Sequence, residues 1–145
     1  MAGLPDSIAA EVIDYITGRA VATPAPASAY LALLTADPGV GATLGTMNED
    51  TTAGYARQQV VWGVPIGSPP ITSNTGQITV GPFTAAQALP VTHYALVTAV
   101  TGTTGKVKWV QALDSGFQAN IGDSLIFPIA SLDIGFLNAD GDVAA

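Results

Sequence analysis

The chain has 145 residues, of which 48% are hydrophobic and only 10% are charged, and its formal net charge is −7. We expect a single domain with its own hydrophobic core from this length. The composition excludes intrinsic disorder, which requires low hydrophobicity and high charge, and four cations are too few for binding to nucleic-acid phosphates. A typical soluble domain has roughly 25% charged residues, so we expect other proteins to cover part of this surface.

Three further features limit where the chain is made and what it binds. No run reaches the roughly 18 apolar residues of a membrane span. There are no cysteines, which excludes disulfides and thiolate metal sites. The N-terminal stretch MAGLPDSIAAEVIDY has no basic region before its apolar residues, which argues against a secretory signal and favours synthesis in a cytoplasm.

The first predicted element is a helix over about residues 6–17, because the apolar residues of this stretch recur at helical spacing. Asp6 or Ser7 is expected to cap the N-terminus of this helix, and Gly18 is expected to end it. Glu11 lies towards the positive end of the helix dipole, where a carboxylate is stabilised.

The chain is predicted to have three consecutive parts. Residues 1–22 form an N-terminal helix and arm, and residues 23–28 form a linker of alternating Pro and Ala. Such a linker favours an extended, polyproline-like conformation. Residues 29–145 are predicted to form a β-sandwich domain, so the helix is expected to be an appendage of that domain.

From residue 29 onward the apolar residues alternate as they do in strands. Seven strands are predicted, in AYLALLT (29–35), GYARQQVVW (54–62), GQITVGPF (76–83), VTHYALVTAV (91–100), GKVKWVQAL (105–113), DSLIFP (123–128) and ASLDIGFL (130–137). TGTTG (101–105) is predicted to be a hairpin turn and VPIGSPPITSN (64–74) a Pro-rich turn region. The predicted fold is therefore mainly β, an antiparallel β-sandwich of about seven to eight strands with one short N-terminal α-helix.

The second predicted strand contains Arg57, one of only four cations in the chain. Side chains alternate between the two faces of a strand, so Tyr55, Arg57 and Gln59 are expected to share one face. Tyrosine and arginine are enriched at protein contacts. We hypothesise that these three residues contact a neighbouring subunit. Arg57 would then donate several hydrogen bonds to a carboxylate or to a row of carbonyls of that neighbour. The alternative is a solvated arginine on an exposed sheet face.

A single histidine and an acidic C-terminal stretch are candidates for catalysis and for metal binding. His93 is the only histidine, but no nucleophile motif accompanies it, so we expect a hydrogen-bonded strand histidine or one at an interface. Asn138, Asp140 and Asp142 alternate as in the opening of a calcium loop, but the later bidentate Glu of such a loop is missing. We expect these residues to form a solvated acidic tail.

Glu49 and Asp50 are adjacent acids that could act as the carboxylate pair of a glycosidase. Adjacent acids in a loop rich in Gly and Thr are more often simply hydrated, and we expect that here. Four aromatic residues that could form a sugar-binding platform are expected to lie mostly in the core: Trp62, Trp109, Tyr30 and Phe127. We therefore predict no catalytic residue, no metal site and no cofactor.

The order of the segments resembles a family of small virion proteins of tailed bacteriophages, described as tail fibre or minor capsid (head decoration) proteins. The resemblance is carried by YLALLTADP (30–38), GYARQ (54–58) and GDSLIFP (122–128), and it covers roughly residues 6–137. Members usually carry an aromatic residue shortly before the segment matched by VTHYAL (91–96), where this chain has ALP (88–90).

This resemblance implies a structural, non-enzymatic role in the virus particle, after synthesis in the cytoplasm of the bacterial host. The chain is short and lacks the long shaft of a receptor-reaching fibre, so we expect a decoration protein on the capsid exterior that stabilises the assembled head. Its expected partners are the major capsid protein and copies of itself, with a trimer as one candidate state, and neither nucleic acid nor a membrane. The alternatives are a tail fibre or tail-tip protein and, outside virion proteins, a carbohydrate-binding module.

Overall fold

The polypeptide forms one helix and eight strands in the computed structural model, which describes residues 4–19, 29–68 and 70–135. The elements are α1 (Asp6–Ile16), β1 (Ala29–Leu34), β2 (Gln58–Val60), β3 (Ile71–Ser73), β4 (Ile78–Val80), β5 (Val91–Val97), β6 (Val107–Phe117), β7 (Leu125–Phe127) and β8 (Asp133–Gly135). The prediction of a mainly β fold with one short N-terminal helix is confirmed.

All strand pairs of the fold are antiparallel. The largest sheet has the strand order β2, β1, β5, β6, and two smaller sheets pair β3 with β8 and β4 with β7. Strands β5 and β6 are joined through the predicted TGTTG turn, where Gly102 has a φ of 76° and Gly105 a φ of 133°. Residues that carry a Cβ rarely adopt such φ values, which is why glycine occupies both positions.

Strand β3 is the element that the sequence analysis missed. It lies in the segment 64–74, which was predicted to be a turn region because of its prolines. The strand is only three residues long, and it is held by antiparallel pairing with β8 and by a bridge between Ile66 and Ile71. Its pairing partner lies far along the chain, so no local pattern indicates it.

The four-stranded sheet carries a hydrophobic cluster on each face. In β1, Leu31 and Leu33 belong to one cluster, whereas Ala32 and Leu34 belong to the other. The first cluster also contains side chains of β4 and β7, which form a second layer in a sandwich-like arrangement. The loop after β1 contributes three buried residues to the second cluster: Ala42, Leu44 and Met47. Burial on both faces explains why β1 is almost uniformly apolar.

Helix α1 occupies the predicted residues, but the prediction of its N-terminal cap is wrong. Pro5 is the N-cap and provides no side-chain hydrogen bond, and Asp6 lies inside the first turn. The carboxylate there still lies near the positive end of the helix dipole. Gly18 follows the helix with a φ of 67°, so the predicted end is confirmed.

No residue of α1 is buried. Interactions that connect the helix to the strands and loops include the hydrogen bond from the N–H of Asp6 to the carbonyl of Val40, at 3.1 Å, and an ion pair between Glu11 and Lys106. The predicted linker 23–28 lies outside the described residues, and the division of the chain into three parts stays a prediction. No helix in the described part of the chain has the length and apolarity to cross a membrane.

Candidate functional site

Arg57 lies just before β2, outside the part of the chain that pairs in the sheet. Only Gln58–Val60 of the predicted second strand belongs to the sheet. Gly54 has a φ of 92°, and a Cβ at this position would lie 2.5 Å from the carbonyl oxygen of Pro82. The left-handed conformation turns the chain just before Tyr55. Arg57 and Val60 are buried whereas Gln59 is exposed, so the alternation of faces is broken between Arg57 and Val60.

The side chain of Arg57 points into the protein, and the residue is only 8% exposed. Its guanidinium binds the carboxylate of Glu49 through two parallel hydrogen bonds, Nε to Oε1 at 2.7 Å and Nη2 to Oε2 at 2.6 Å. This bidentate geometry is the strong form of an arginine–carboxylate interaction. The hydrogen bonds to Glu49 raise the pKa of Arg57 above its ordinary value, so this guanidinium is charged.

Arg57 also binds two main-chain carbonyls of the turn between β5 and β6. Nη1 donates to the carbonyl of Ala99 and Nη2 to that of Gly102, each at 3.0 Å. The structure therefore provides a carboxylate and a row of carbonyls from within the same chain. The alternative of a solvated arginine on an exposed face is wrong, because the guanidinium is buried among these acceptors.

Tyr55 contributes a third hydrogen bond to the same carboxylate. Its hydroxyl donates to Oε1 of Glu49 at 2.6 Å and accepts a hydrogen bond from the N–H of Leu33 at 3.2 Å. Burial, followed by the hydrogen bond to Glu49, raises the pKa of Tyr55. The phenol therefore stays neutral and acts as a donor that fixes Glu49 against the edge of β1.

Gln59 lies apart from Tyr55 and Arg57. It is an exposed residue of β2, with Tyr30 as its cross-strand partner. The expected row of three side chains on one face is therefore absent: two of them meet at Glu49 inside the fold and the third lies at the surface. The contact with a neighbouring subunit stays a prediction, and Gln59 is the residue of the three that a partner can reach.

These groups border an open depression of about 240 Å³. Its lining residues are Glu49, Asp50, Tyr55, Ala56, Arg57, Val100, Thr101 and Gly102. The charge of Arg57 is balanced by Glu49, and their hydrogen-bonding groups are directed at each other and at the backbone. The polar groups of the depression therefore hold three chain segments together.

Asp50 points away from Glu49 into a separate buried network. Gln87 Nε2 donates to Oδ2 of Asp50 at 2.6 Å, and Thr52 donates to Oδ1 from its N–H at 3.1 Å and from its hydroxyl at 2.7 Å. The side-chain oxygen of Gln87 accepts the N–H of Ala119 at 2.6 Å. The expectation of two hydrated acids is wrong, because each carboxylate is engaged by its own set of donors.

His93 is a half-buried strand residue with a hydrogen bond. This is the first of its two expected environments, a hydrogen-bonded histidine in a strand. Its Nδ1 lies 2.9 Å from the hydroxyl of Thr92, and its Nε2 lies 4.0 Å from Oδ2 of Asp37. Within the residues that the structure describes, no group of three or more His, Asp or Glu side chains could hold a metal ion. The candidate loop with Asn138, Asp140 and Asp142 lies outside the described residues.

The aromatic residues pack as the sequence analysis expected. Phe127 is buried in the first cluster, and Trp62 and Trp109 pack against that cluster, whereas Tyr30 packs against the second. Trp109 belongs to β6 and Trp62 follows β2, and these strands are the opposite edges of the four-stranded sheet. The two tryptophans therefore do not form one platform.

Two buried polar residues were missed by the sequence analysis. Gln87 is buried and binds Asp50 and Ala119. Asn74 is almost completely buried between β3 and the turn before β8. The amide of Asn74 donates to the carbonyls of Gly76 and Pro128 and accepts the N–H of Leu132. Neither residue belongs to a motif, so no local signal indicates its role.

A comparison with known families gives one match. The family described as podophage GP4 fiber I protein gp80 matches residues 3–135 of the chain. No curated protein is significantly similar to this chain. The matched range includes α1 and all eight strands that the structure describes.

Proposed function

The chain belongs to the podophage GP4 fiber I protein gp80 family, and we propose that it is a non-enzymatic structural component of a fibre in the virion of a tailed phage. The observation that carries this proposal is the family match over residues 3–135, which includes the whole described β region. A virion structural protein of this kind was expected from the order of the sequence segments.

The engagement of the polar side chains supports a structural role. Three of the candidate site residues bind other side chains or the backbone: Arg57 binds Glu49 and two carbonyls, and Asp50 binds Gln87 and Thr52. Acid–base catalysis requires a group that can exchange a proton with a substrate. These groups instead fix loops around a small β framework, which suits a protein that works by holding its shape.

The family description favours a fibre over the head decoration that the length of the chain suggested. One observation keeps decoration as a second candidate: a chain with only 10% charged residues suits a surface covered by neighbouring subunits. A decoration protein would bind the major capsid protein on the exterior of the head. A fibre component would instead bind other proteins of the tail.

The location of the protein in purified virions distinguishes the two candidates. We expect antibodies against the chain, imaged by electron microscopy, to label fibres at the tail, and mass spectrometry to give a small number of copies per particle. Labelling over the whole head with hundreds of copies would establish decoration instead. Absence of the protein from purified virions would contradict both candidates.

A further inference from the structure

The segment after β2 forms a hairpin with a strongly apolar exposed side. We call residues 61–68 and 70–75 the hairpin arm. Bridges between Trp62 and Asn74 and between Ile66 and Ile71 pair its two strands. The N–H of Ile66 donates to the carbonyl of Ile71 at 2.9 Å, and the reverse hydrogen bond measures 2.8 Å. The arm is therefore a defined β-hairpin.

The base of the hairpin arm is held firmly to the rest of the protein. Asn74 is buried and its amide binds the carbonyl of Pro128 at 2.9 Å and the N–H of Leu132 at 2.9 Å. Trp62 packs against the first hydrophobic cluster, and β3 pairs along its length with β8. A partner that binds the arm is therefore coupled to the body of the protein.

The arm exposes large apolar side chains that the fold does not use. Val64 is 83% exposed and Ile66 is 74% exposed, and Val61 at the base is also exposed. Single exposed apolar residues are common, but several on one projecting element are typical of an interaction surface. β-branched side chains lose little conformational freedom on binding, which favours their use in a contact.

The distribution of charge indicates what can bind there. No Asp, Glu, Lys or Arg occurs from Gln58 to Gly105, although the chain has a net charge of −7. Two copies of such a chain repel each other wherever acidic surfaces meet, so a contact through uncharged surface avoids this repulsion. Asp133 of β8, beside β3, is engaged by the hydroxyl of Ser73. The hairpin arm is thus both apolar and free of charge.

We propose that copies of this chain associate with one another through the hairpin arm, with Val64 and Ile66 as the central contacts. The proposal goes beyond the fibre function, because it concerns a contact between copies and holds wherever in the virion the chain lies. Stable interfaces bury about 800 Å² on each partner, and a few side chains of one hairpin supply only part of that area. The contact is therefore weak in free solution and strengthened where copies are held side by side.

Sedimentation equilibrium of the full chain over a wide concentration range tests the proposal. We expect a reversible oligomer at high concentration, and its association constant should rise with salt because salt screens the repulsion between acidic copies. The double variant Val64→Asp/Ile66→Asp should weaken association by about a hundredfold, because it removes apolar contact and places like charges opposite each other. Both residues are exposed, so the variant should keep the circular dichroism spectrum of the native protein.

The matched control is the double variant Leu89→Asp/Ile121→Asp. It adds the same charge at apolar residues that are 60% and 72% exposed but lie outside the arm. We expect this control to associate almost as strongly as the unmodified chain, with only the small loss that the added negative charge causes by general repulsion. A monomer at every concentration, equal loss in the control, unchanged association in the arm variant, or weakening by salt would each overturn the proposal. None of these results alters where antibodies label the virion, so the fibre function is tested separately.

Discussion

The carboxylate of Glu49 accepts hydrogen bonds from both Nε and Nη2 of Arg57, at 2.7 Å and 2.6 Å. Glu49 belongs to the loop after β1, and the same guanidinium binds the turn between β5 and β6. The pair therefore connects segments that are far apart in the sequence. Because both side chains are largely shielded from water, the loss of one partner leaves an uncompensated charge in the fold.

Replacement of this guanidinium should destabilise the isolated protein. We expect Arg57→Ala to lower the free energy of unfolding by about 3 kcal/mol, since Glu49 loses its counter-ion and two carbonyls lose a donor. Arg57→Lys should recover only part of this loss, because an ammonium group cannot form the bidentate fork. Urea unfolding followed by circular dichroism measures both values.

Arg19→Ala is the matched control, because Arg19 forms an exposed ion pair with Asp14. Exposed pairs contribute little, so we expect a change below about 0.5 kcal/mol. Equal stability of Arg57→Ala and the unmodified protein would show that the pair with Glu49 does not stabilise the fold. Since Arg57 is structural, a substitution at Gln59 is the better test of the predicted subunit contact.

The hydroxyl of Tyr55 gives the fold a dependence on alkaline pH. Burial and the hydrogen bond to Glu49 raise the pKa of Tyr55 above its usual value of 10.0. The folded state keeps this proton where the unfolded state releases it, so the stability is complete below about pH 10 and falls as the pH rises further. Tyr55→Phe should cost about 1–2 kcal/mol at neutral pH and should reduce the slope above pH 10.

Urea unfolding at several pH values compares the two proteins. Burial also raises the pKa of Tyr94 to about 12, so part of the alkaline slope should remain in Tyr55→Phe. A slope that is identical in the two proteins would show that Tyr55 is not the responsible group.

Elements with a local pattern were predictable from the sequence. The apolar spacing placed α1 correctly, and the apolar run at residues 29–35 indicated strand β1. The turn between β5 and β6 was indicated by Gly102 and Gly105, which have the positive φ values that such a turn requires. In each case a few neighbouring residues decide the conformation, so the sequence alone is sufficient.

Features that depend on distant partners were not predictable. The inward direction of Arg57 depends on a carboxylate and two carbonyls that other loops supply. Strand β3 forms because β8 pairs with it, although prolines precede it directly in the sequence. Gln87 is an ordinary loop residue until the fold brings Asp50 and Ala119 to it. These relationships are set by tertiary structure.

Gly54 should tolerate no side chain. A Cβ there would lie 2.5 Å from the carbonyl oxygen of Pro82 and 2.6 Å from the nitrogen of Thr84, at a φ of 92°. Both neighbours are backbone atoms that cannot rotate away. We expect Gly54→Ala to lower the free energy of unfolding by about 3 kcal/mol or more, through steric overlap and the unfavourable φ.

Gly76→Ala provides the comparison for this substitution. A Cβ at Gly76 meets no atom within 4 Å, and its φ lies outside the left-handed region. We expect a change of at most about 1 kcal/mol, with a small gain from the reduced freedom of the unfolded chain. Thermal unfolding of both variants measures the difference, and similar melting temperatures would contradict the close approach at Gly54.

The hydrogen bond from Gln87 to Asp50 can be tested by reversing its direction. Gln87 Nε2 donates to Oδ2 of Asp50 at 2.6 Å, and Gln87 Oε1 accepts the N–H of Ala119 at 2.6 Å. Asp50→Asn alone can place two amide donors against each other, and Gln87→Glu alone places two buried carboxylates together. We expect each single variant to lose about 2 kcal/mol of stability.

The double variant Asp50→Asn/Gln87→Glu should recover most of this loss. The new amide at position 50 can donate to the new carboxylate at position 87, whose second oxygen can still accept the N–H of Ala119. Because the two side chains are in direct contact, we expect a coupling energy of about 2 kcal/mol in a double-mutant cycle measured by urea unfolding. Simple additivity of the two losses would mean that this buried hydrogen bond does not hold the loops together.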